Sequence, residues 1–323
     1  MRNSTQKNKS KVLIIGSLGM LGQELVAVFR NEDDYEVVAW DKKEIDVTKE
    51  ENTKRKIKKL SPNIIINAAA YNAVDKCEKD SKQYQLAKNL NGKAPGLLAS
   101  IAKKIGATFV HYSTDYVFDG SPEIPEPAGC SGACGGCDMH KDFKAEIGFA
   151  EDAEPNPISN YGKSKLAGEK AVAKSGDKYY IIRLSKLFGK AASSKKAKNS
   201  FFDVMLSLGK NPPAGGKEVR VVDEEISCFT YAPDLARKTK EILEARKPFG
   251  IYHISNGEPC TWYEATLELY KQLGKKTKVI PISSDEFPRP ARRPYISTLI
   301  NTKINPLRSY KEALKEHIKS MDM

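Results

Sequence analysis

Tyr161 and Lys165 stand four residues apart in NYGKSKLAGEKAVAK (160–174), a segment whose spacing predicts a helix. Four residues is about one helical turn, so both side chains share a face. A phenol with its ordinary pKa of ~10 is a poor proton shuttle at neutral pH, but a neighbouring ammonium stabilises the phenolate and lowers that value. The pair then becomes a usable general acid. Upstream, ATFVHYST (107–114) reads as an apolar strand that ends in Ser113 and Thr114. A hydroxyl at such a strand end can hydrogen-bond a carbonyl oxygen as charge develops on it; Thr114 is the expected donor and Ser113 the fallback.

A second constellation lies near the start of the chain. Gly16, Gly19 and Gly22 fall between the apolar run KVLIIG (11–16) and the helically spaced MLGQELVAVFR. Glycines there let a pyrophosphate reach the free N–H groups of a helix N-terminus. Asp41 closes the next apolar run, YEVVAWD, about where an acid that binds a ribose is expected. Asp41 suits NADH, whereas Lys42 and Lys43 beside it suit the extra phosphate of NADPH, and both cofactors stay open.

These residues need a scaffold that brings strand ends together. Strand and helix patterns alternate through NIIINAAA (63–70), a helical stretch including LLASIAKKIG (97–106) and ATFVHYST. Continuous apolar runs of this kind are strands buried on both faces and joined by crossover helices. The expected fold is α/β, a Rossmann-type doubly wound parallel sheet with a smaller C-terminal substrate-binding lobe. YYIIRLSKLFG (179–189) reads as a further strand, VRVVD as another, and PDLARKTKEILEA as a helix that starts near Asp234. We expect residues 1–190 to form the dinucleotide-binding domain, with 219–250 returning to it. Residues 191–218 and 251–323 are expected to form the lobe.

The stretch 121–157 is too long for an ordinary connection and is read as a loop insert. Within it, CSGACGGCDMH places Cys130, Cys134, Cys137 and His140 at spacings of four, three and three residues, which suits one tetrahedral, structural zinc. The alternative is a surface loop with free thiols. Cys77, Cys228 and Cys260 read as small apolar fillers, and His111 and His253 as strand histidines.

Bulk properties remove several classes. Among 323 residues, Lys+Arg 53 exceed Asp+Glu 41 to give +12, but the lysines are diffuse and no aromatic residues are interleaved with them. Solvated helix faces and a mobile loop, rather than a nucleic-acid groove, explain them. No apolar run approaches the ~20 residues that cross a bilayer, and the polar start Met1 to Lys11 precedes an apolar run too short for a signal peptide. The expected location is the cytoplasm.

In their order along the chain, GSLGMLGQEL, NAAAYNAVDKCE, HYSTDYVFDG, NPISNYGKSKLAGE, RLSKLFG, FTYAPDLA, YHISNGEPCTWYE and ARRPYISTL resemble the extended short-chain dehydrogenase/reductase family. Within it they are most similar to the branch of the dTDP-4-dehydrorhamnose reductases, over nearly the full length. The resemblance implies that Thr114, Tyr161 and Lys165 form the catalytic triad, with Lys165 also holding the nicotinamide ribose and Asn91 supporting Lys165 through water. It implies that Gly16, Leu18, Gly19, Met20, Leu21 and Gly22 wrap the cofactor pyrophosphate, Asp41 and Lys42 the adenosine ribose, and Asp46 and Val47 the adenine. Ala68, Ala69 and Ala70 would flank the nicotinamide and Tyr71 would border it.

On the substrate side the resemblance implies Thr114, Asp115, Tyr116 and Val117, and an arginine loop, Arg289, Arg292 and Arg293, suited to a diphosphate. Trp262 would either stack at the pocket or pack in the core. The implied partner is a nucleotide-diphosphate sugar, with a homodimer as the candidate assembly. The implied reaction is NADPH- or NADH-dependent reduction of the 4-keto group of dTDP-4-dehydro-6-deoxy-L-mannose to dTDP-L-rhamnose. Rival readings are another 4-keto-sugar reductase or an epimerase, and a regulatory subunit similar to the β subunit of methionine adenosyltransferase. A dehydratase is disfavoured because no glutamate follows Asp115. Two departures stand out: Ser227-Cys228-Phe229-Thr230 replaces a Gly-Ser-Pro-Thr-like turn, and the loop between Asp119 and Pro157 is longer than usual.

Overall fold

The computed structural model describes residues 9–123, 147–193, 199–210 and 218–321. The first half alternates strand and helix: β1 (Ser10–Ile15), α1 (Met20–Arg30), β2 (Tyr35–Trp40), α2 (Glu50–Leu60), β3 (Ile64–Asn67), α3 (Val74–Lys79), α4 (Ser81–Ala87), α5 (Ala94–Lys104) and β4 (Thr108–Thr114). The second half runs α6 (Asn160–Ser175), β5 (Tyr179–Leu184), β6 (Leu187–Phe188), α7 (Phe201–Lys210), β7 (Glu218–Val222), β8 (Thr230–Tyr231), α8 (Ala232–Glu244) and β9 (Gly250–His253). It closes with β10 (Asn256–Gly257), α9 (Trp262–Gln272), β11 (Lys278–Ile282), β12 (Leu307–Ser309) and α10 (Tyr310–Met321).

Six parallel strands form the main sheet in the order β2-β1-β3-β4-β5-β9. Successive strand residues point to opposite faces, and both faces are apolar. Val12, Ile14, Ile66 and Val110 pack against Leu25 and Phe29 of α1 and Leu235 of α8. Leu13, Ile15, Ile65 and Phe109 pack instead against Ile57 of α2, Leu98 and Ile101 of α5 and Val172 of α6. This is the doubly wound arrangement expected from the alternation. Among the described residues no helix is long and apolar enough to cross a membrane.

Two segments differ from expectation. YYIIRLSKLFG is not one strand: β5 stays in the main sheet while β6 pairs with β8, and between them Lys186 takes φ 36°, a left-handed value that breaks the strand. VRVVD likewise leaves the main sheet, because β7 pairs in parallel with β11. The return to the main sheet is therefore carried by α8 and β9, and β9 at 250–253 extends past the expected boundary of 250 into the stretch assigned to the lobe. A third core, centred on Phe188, Phe202, Phe229 and Tyr310, joins α7, α9 and α10. Cys130, Cys134, Cys137 and His140 lie outside the described residues.

Candidate active site

The candidate pair Tyr161 and Lys165 is assembled by the meeting of β4 with α6. Ser159 caps α6 by accepting from the Gly162 N–H at 3.1 Å, and Asn160 is tied to α3 through Glu78 (2.5 Å) and the Cys77 carbonyl (3.1 Å). The helix start is thus fixed before the first chemically useful residue. Tyr161 is buried, edge-on to Tyr116 at 5.9 Å, in a cluster that also holds Cys77 and Tyr71. Lys165, only 2% exposed, donates from Nζ to the Tyr112 carbonyl at 2.5 Å. One turn of helix and the last residues of one strand therefore bring Tyr161, Lys165 and Thr114 together.

Their electrostatics depart from the expectation that the ammonium would pull the phenol down. In the protein alone, burial drives Tyr161 upward and the field of Asp115 adds to this; only the Thr114 hydroxyl opposes. Burial also lowers Lys165 to about 8, against an upward pull from Glu169. Both follow from one cause, since a dry site disfavours whichever form carries charge. Tyr161 is consequently a neutral phenol with a proton to give.

Thr114 donates its hydroxyl to Asp115 Oδ1 at 2.9 Å and accepts from the Tyr116 N–H at 3.3 Å. Asp115, 2% exposed, also accepts from Ser185 Oγ and Ser297 Oγ, each at 2.7 Å to Oδ2. Its carboxyl is raised by burial against these hydroxyls. The carboxylate of Asp115, expected on the substrate side, is enclosed by protein hydroxyls. Val117, expected there too, is fully buried beside Phe118 and Phe149. Tyr116 alone of that triplet is part-exposed. Ser113 is buried with no hydrogen-bond partner, on the opposite face of the strand to Thr114.

The glycine turn has the geometry of a phosphate cradle. Gly16 takes φ +82°, and a Cβ there would lie 2.7 Å from the Ala69 nitrogen. At Gly22 a Cβ would lie 2.0 Å from the Gly16 carbonyl, so only glycine permits α1 to start this close to the turn. Leu18 is 42% exposed above the turn, whereas Leu21 is turned into the core, which leaves only its backbone for a ligand. Asp41 accepts from the backbone N–H groups of Leu18 (3.1 Å) and Lys42 (2.7 Å), and with Ser17, Leu18 and Lys43 lines a cavity of about 430 Å³. Asp46 accepts from the Thr48 N–H and hydroxyl at 3.0 and 2.6 Å, and the Val47 side chain is buried in the core.

Ala68, Ala69 and Ala70 follow β3, with the Ala69 N–H held by Asn67 Oδ1 at 3.2 Å. Asn91 lies in a π-helical turn over Lys88–Lys93, the kind of bulge that re-aims side chains. Its amide clamps the Tyr71 backbone in both directions, at 2.8 and 3.0 Å, and donates to Ser164 Oγ at 3.1 Å. It thus reaches α6 through Ser164, next to Lys165. The Tyr71 hydroxyl donates to Gln83 at 2.7 Å.

The arginine loop is already partly neutralised. Arg289 grips Glu225 with both Nη atoms, and the same buried carboxylate accepts from Trp262 Nε1 at 2.8 Å and Ser284 Oγ at 3.2 Å. Arg293 pairs with both oxygens of Asp75 at 3.0 Å, whereas Arg292 is exposed. Trp262 answers neither of its two readings alone: it edges the third core and carries the Lys186 ammonium 3.8 Å over its ring. Glu225, Asp75, Ser185, Ser297 and Lys186 were missed in the sequence. Ser185 was findable, since the register pairs Thr114 with Leu184 and so sets Asp115 beside Ser185. Glu225 and Asp75 carry no local pattern that could have pointed to them.

Among the described residues no group of three or more His, Cys, Asp or Glu could hold a metal ion. The donor set of the site, hydroxyls, one ammonium and a glycine cradle, suits a dinucleotide and a carbonyl compound.

The chain is 31% identical over 313 residues to the spore coat polysaccharide biosynthesis protein SpsK of Bacillus subtilis (strain 168), covering 96% of this chain and 97% of that one. A dTDP-4-dehydrorhamnose reductase structure from Clostridium acetobutylicum ATCC 824 superposes with TM-score 0.82 at 34% identity, covering 97% of this chain and all (100%) of that one. The corresponding reductase from Bacillus anthracis str. Ames, solved in complex with NADP, superposes with TM-score 0.81 at 30% identity, with 97% and 99% covered. Residues 10–323 match the family described as the RmlD substrate binding domain, and to that family this chain belongs.

Proposed function

We propose that this protein reduces the 4-keto group of dTDP-4-dehydro-6-deoxy-L-mannose to dTDP-L-rhamnose with NADPH or NADH. The observation that carries the reading is the convergence of Thr114, Tyr161 and Lys165 at the end of β4 and the start of α6. Relatives of about 30% identity that span nearly the whole chain are named for this reaction.

Residues Gly16 to Gly22 would hold the cofactor pyrophosphate and Asp41 its adenosine ribose; when bound, the reduced nicotinamide supplies the hydride. Tyr161, kept protonated by burial, donates its phenolic proton to the substrate's O4 as negative charge develops there. Thr114, which accepts from the Tyr116 N–H, orients that oxygen by turning its one hydroxyl proton from Asp115 to it. Lys165 spends one of its three N–H donors on the Tyr112 carbonyl and keeps the others for the nicotinamide ribose. Its positive charge also favours the transient phenolate, which solvent then reprotonates to the phenol. Arg289, Arg292, Arg293 and Trp262 form the substrate's diphosphate and base side. The reaction belongs to the cytoplasm in this reading, and the assembly is a homodimer.

The test follows NADH and NADPH absorbance with keto-sugar generated in situ, comparing wild type with Tyr161→Phe. Oxidation that the variant abolishes supports the reading. No oxidation by wild type despite tight cofactor binding overturns it.

A further inference from the structure

Beyond the triad, α6 carries another buried charged residue, Glu169, one turn past Lys165. Tyr161, Lys165 and Glu169 therefore share a helix face at successive intervals of four. Glu169 is buried, and Arg183 of β5 holds it from the sheet face on which α6 packs. Arg183 Nε donates to its two oxygens at 3.1 and 3.3 Å, and Nη2 donates at 2.8 Å.

Arg183 is itself held on every side. Its Nη1 donates to the Glu151 carbonyl at 3.5 Å and to His253 Nε2 at 3.3 Å, and its guanidinium lies 5.0 Å over the Phe118 ring. His253 Nδ1 contacts the Ile300 carbonyl at 3.0 Å, so the neutral tautomer with its proton on Nδ1 satisfies both ring nitrogens. The Glu151 carboxylate is taken by Thr302 and by the His253 N–H. Glu169 is thus the carboxylate that faces Arg183, and the arrangement fixes its position.

Lys165 has no such partner: its contact is a neutral carbonyl, and burial works against its charge. Of the charged groups around it, Glu169 is the one whose field supports the ammonium. From β4, His111 faces it and is kept neutral by burial and by Lys165 itself. Asp115 and Tyr116, from the turn after β4, act on Tyr161.

We propose that Glu169 is a positioning residue of the reaction: anchored by Arg183 one turn past Lys165, on the helix face that bears Tyr161, its carboxylate keeps Lys165 charged. This rests on the reductase reading above. The neutral Glu169→Gln variant preserves size and removes the charge, and Glu169→Asp preserves the charge. Glu169→Gln/Arg183→Met removes both members of the pair, so that no buried cation is stranded if the single variant fails to fold.

The experiment measures the pH dependence of kcat/KM in the full chain, and in parallel the carbon-13 shift of the Lys165 Cε, assigned with Lys165→Arg. We expect the alkaline limb and the Lys165 titration to move to lower pH by about one unit in Glu169→Gln, and in the same direction by less in the double variant, which also removes the Arg183 cation. Glu169→Asp should stay near wild type. A limb and titration unmoved in a folded Glu169→Gln or in the double variant overturn the proposal. So does an equal movement in Glu169→Asp, which would assign Glu169 to packing. If wild type shows no turnover, the reductase reading fails, while the carbon-13 titration still decides the role of Glu169.

Discussion

Thr114 gives its hydroxyl proton to Asp115 at 2.9 Å, an acid that two further hydroxyls, Ser185 and Ser297, hold in place from separate parts of the chain. The residue that would meet the substrate carbonyl is therefore set by a carboxylate that the substrate does not touch.

Removing that hydroxyl with Thr114→Val should lower kcat on the order of 10²-fold, the usual effect of losing one donor at a developing oxyanion, whereas Thr114→Ser should retain most activity. Asp115→Asn should act in the same direction but less strongly, because Thr114 stays and only its orientation is lost. Steady-state kinetics at saturating cofactor separate the three.

Lys165 provides a pH signature. Burial lowers it to about 8, so the free enzyme loses the ammonium as pH rises through that value. The kcat/KM profile, which reports the free enzyme, should fall on its alkaline side near pH 8. Lys165→Arg keeps a cation that does not titrate in this range, and should remove that limb along with most of the rate.

Stability should decline on acidification well before the carboxylates titrate. Burial and the nearby Arg183 lower His253 from 6.5 to about 3, and burial also lowers His111 and His317. Below pH 6.5 the unfolded chain gains protons that the folded histidines refuse, so the fold is progressively disfavoured down to about pH 3 for His253. His253→Gln should flatten the slope of unfolding free energy by up to about 1.4 kcal/mol per pH unit across this window. Urea titrations at several pH values would show it, and an unchanged slope would contradict the assignment.

The Glu225 cluster predicts a binding defect. Glu225 receives Arg289, Trp262 and Ser284, so Glu225→Gln should disorganise the side proposed for the diphosphate and base while leaving Thr114, Tyr161 and Lys165 untouched. The substrate KM should rise about 10- to 100-fold, the worth of a charge-assisted hydrogen bond of about 1.5–3 kcal/mol, with kcat changed much less. Equal losses in kcat and kcat/KM would place the cluster at the chemistry instead.

How far the sequence discloses this arrangement differs between its parts. The main sheet is legible because its strands are uninterrupted apolar runs and its first turn is written in glycine, both local signals. Tyr161, Lys165 and Thr114 are legible because their spacing and order along the chain carry the geometry. What escaped depends on contacts between distant segments: Arg289 meets Glu225, and Arg293 meets Asp75, through pairings that no spacing encodes. Asp115 looked available because it adjoins Thr114, and only the folded chain shows Ser297 arriving to enclose it. The broken strand at Lys186 escaped for another reason, since lysine is not a residue from which a left-handed turn is inferred.

The enclosure of Asp115 also orders events during synthesis. The glycine turn, β4 and the Tyr161 helix emerge from the ribosome early, but the carboxylate that sets Thr114 gains its last hydroxyl only with Ser297, late in the chain. The glycine turn waits as well, because α1, which begins there, packs against Leu235 of α8, so the candidate cradle and the surroundings of Thr114 both depend on the second half of the chain.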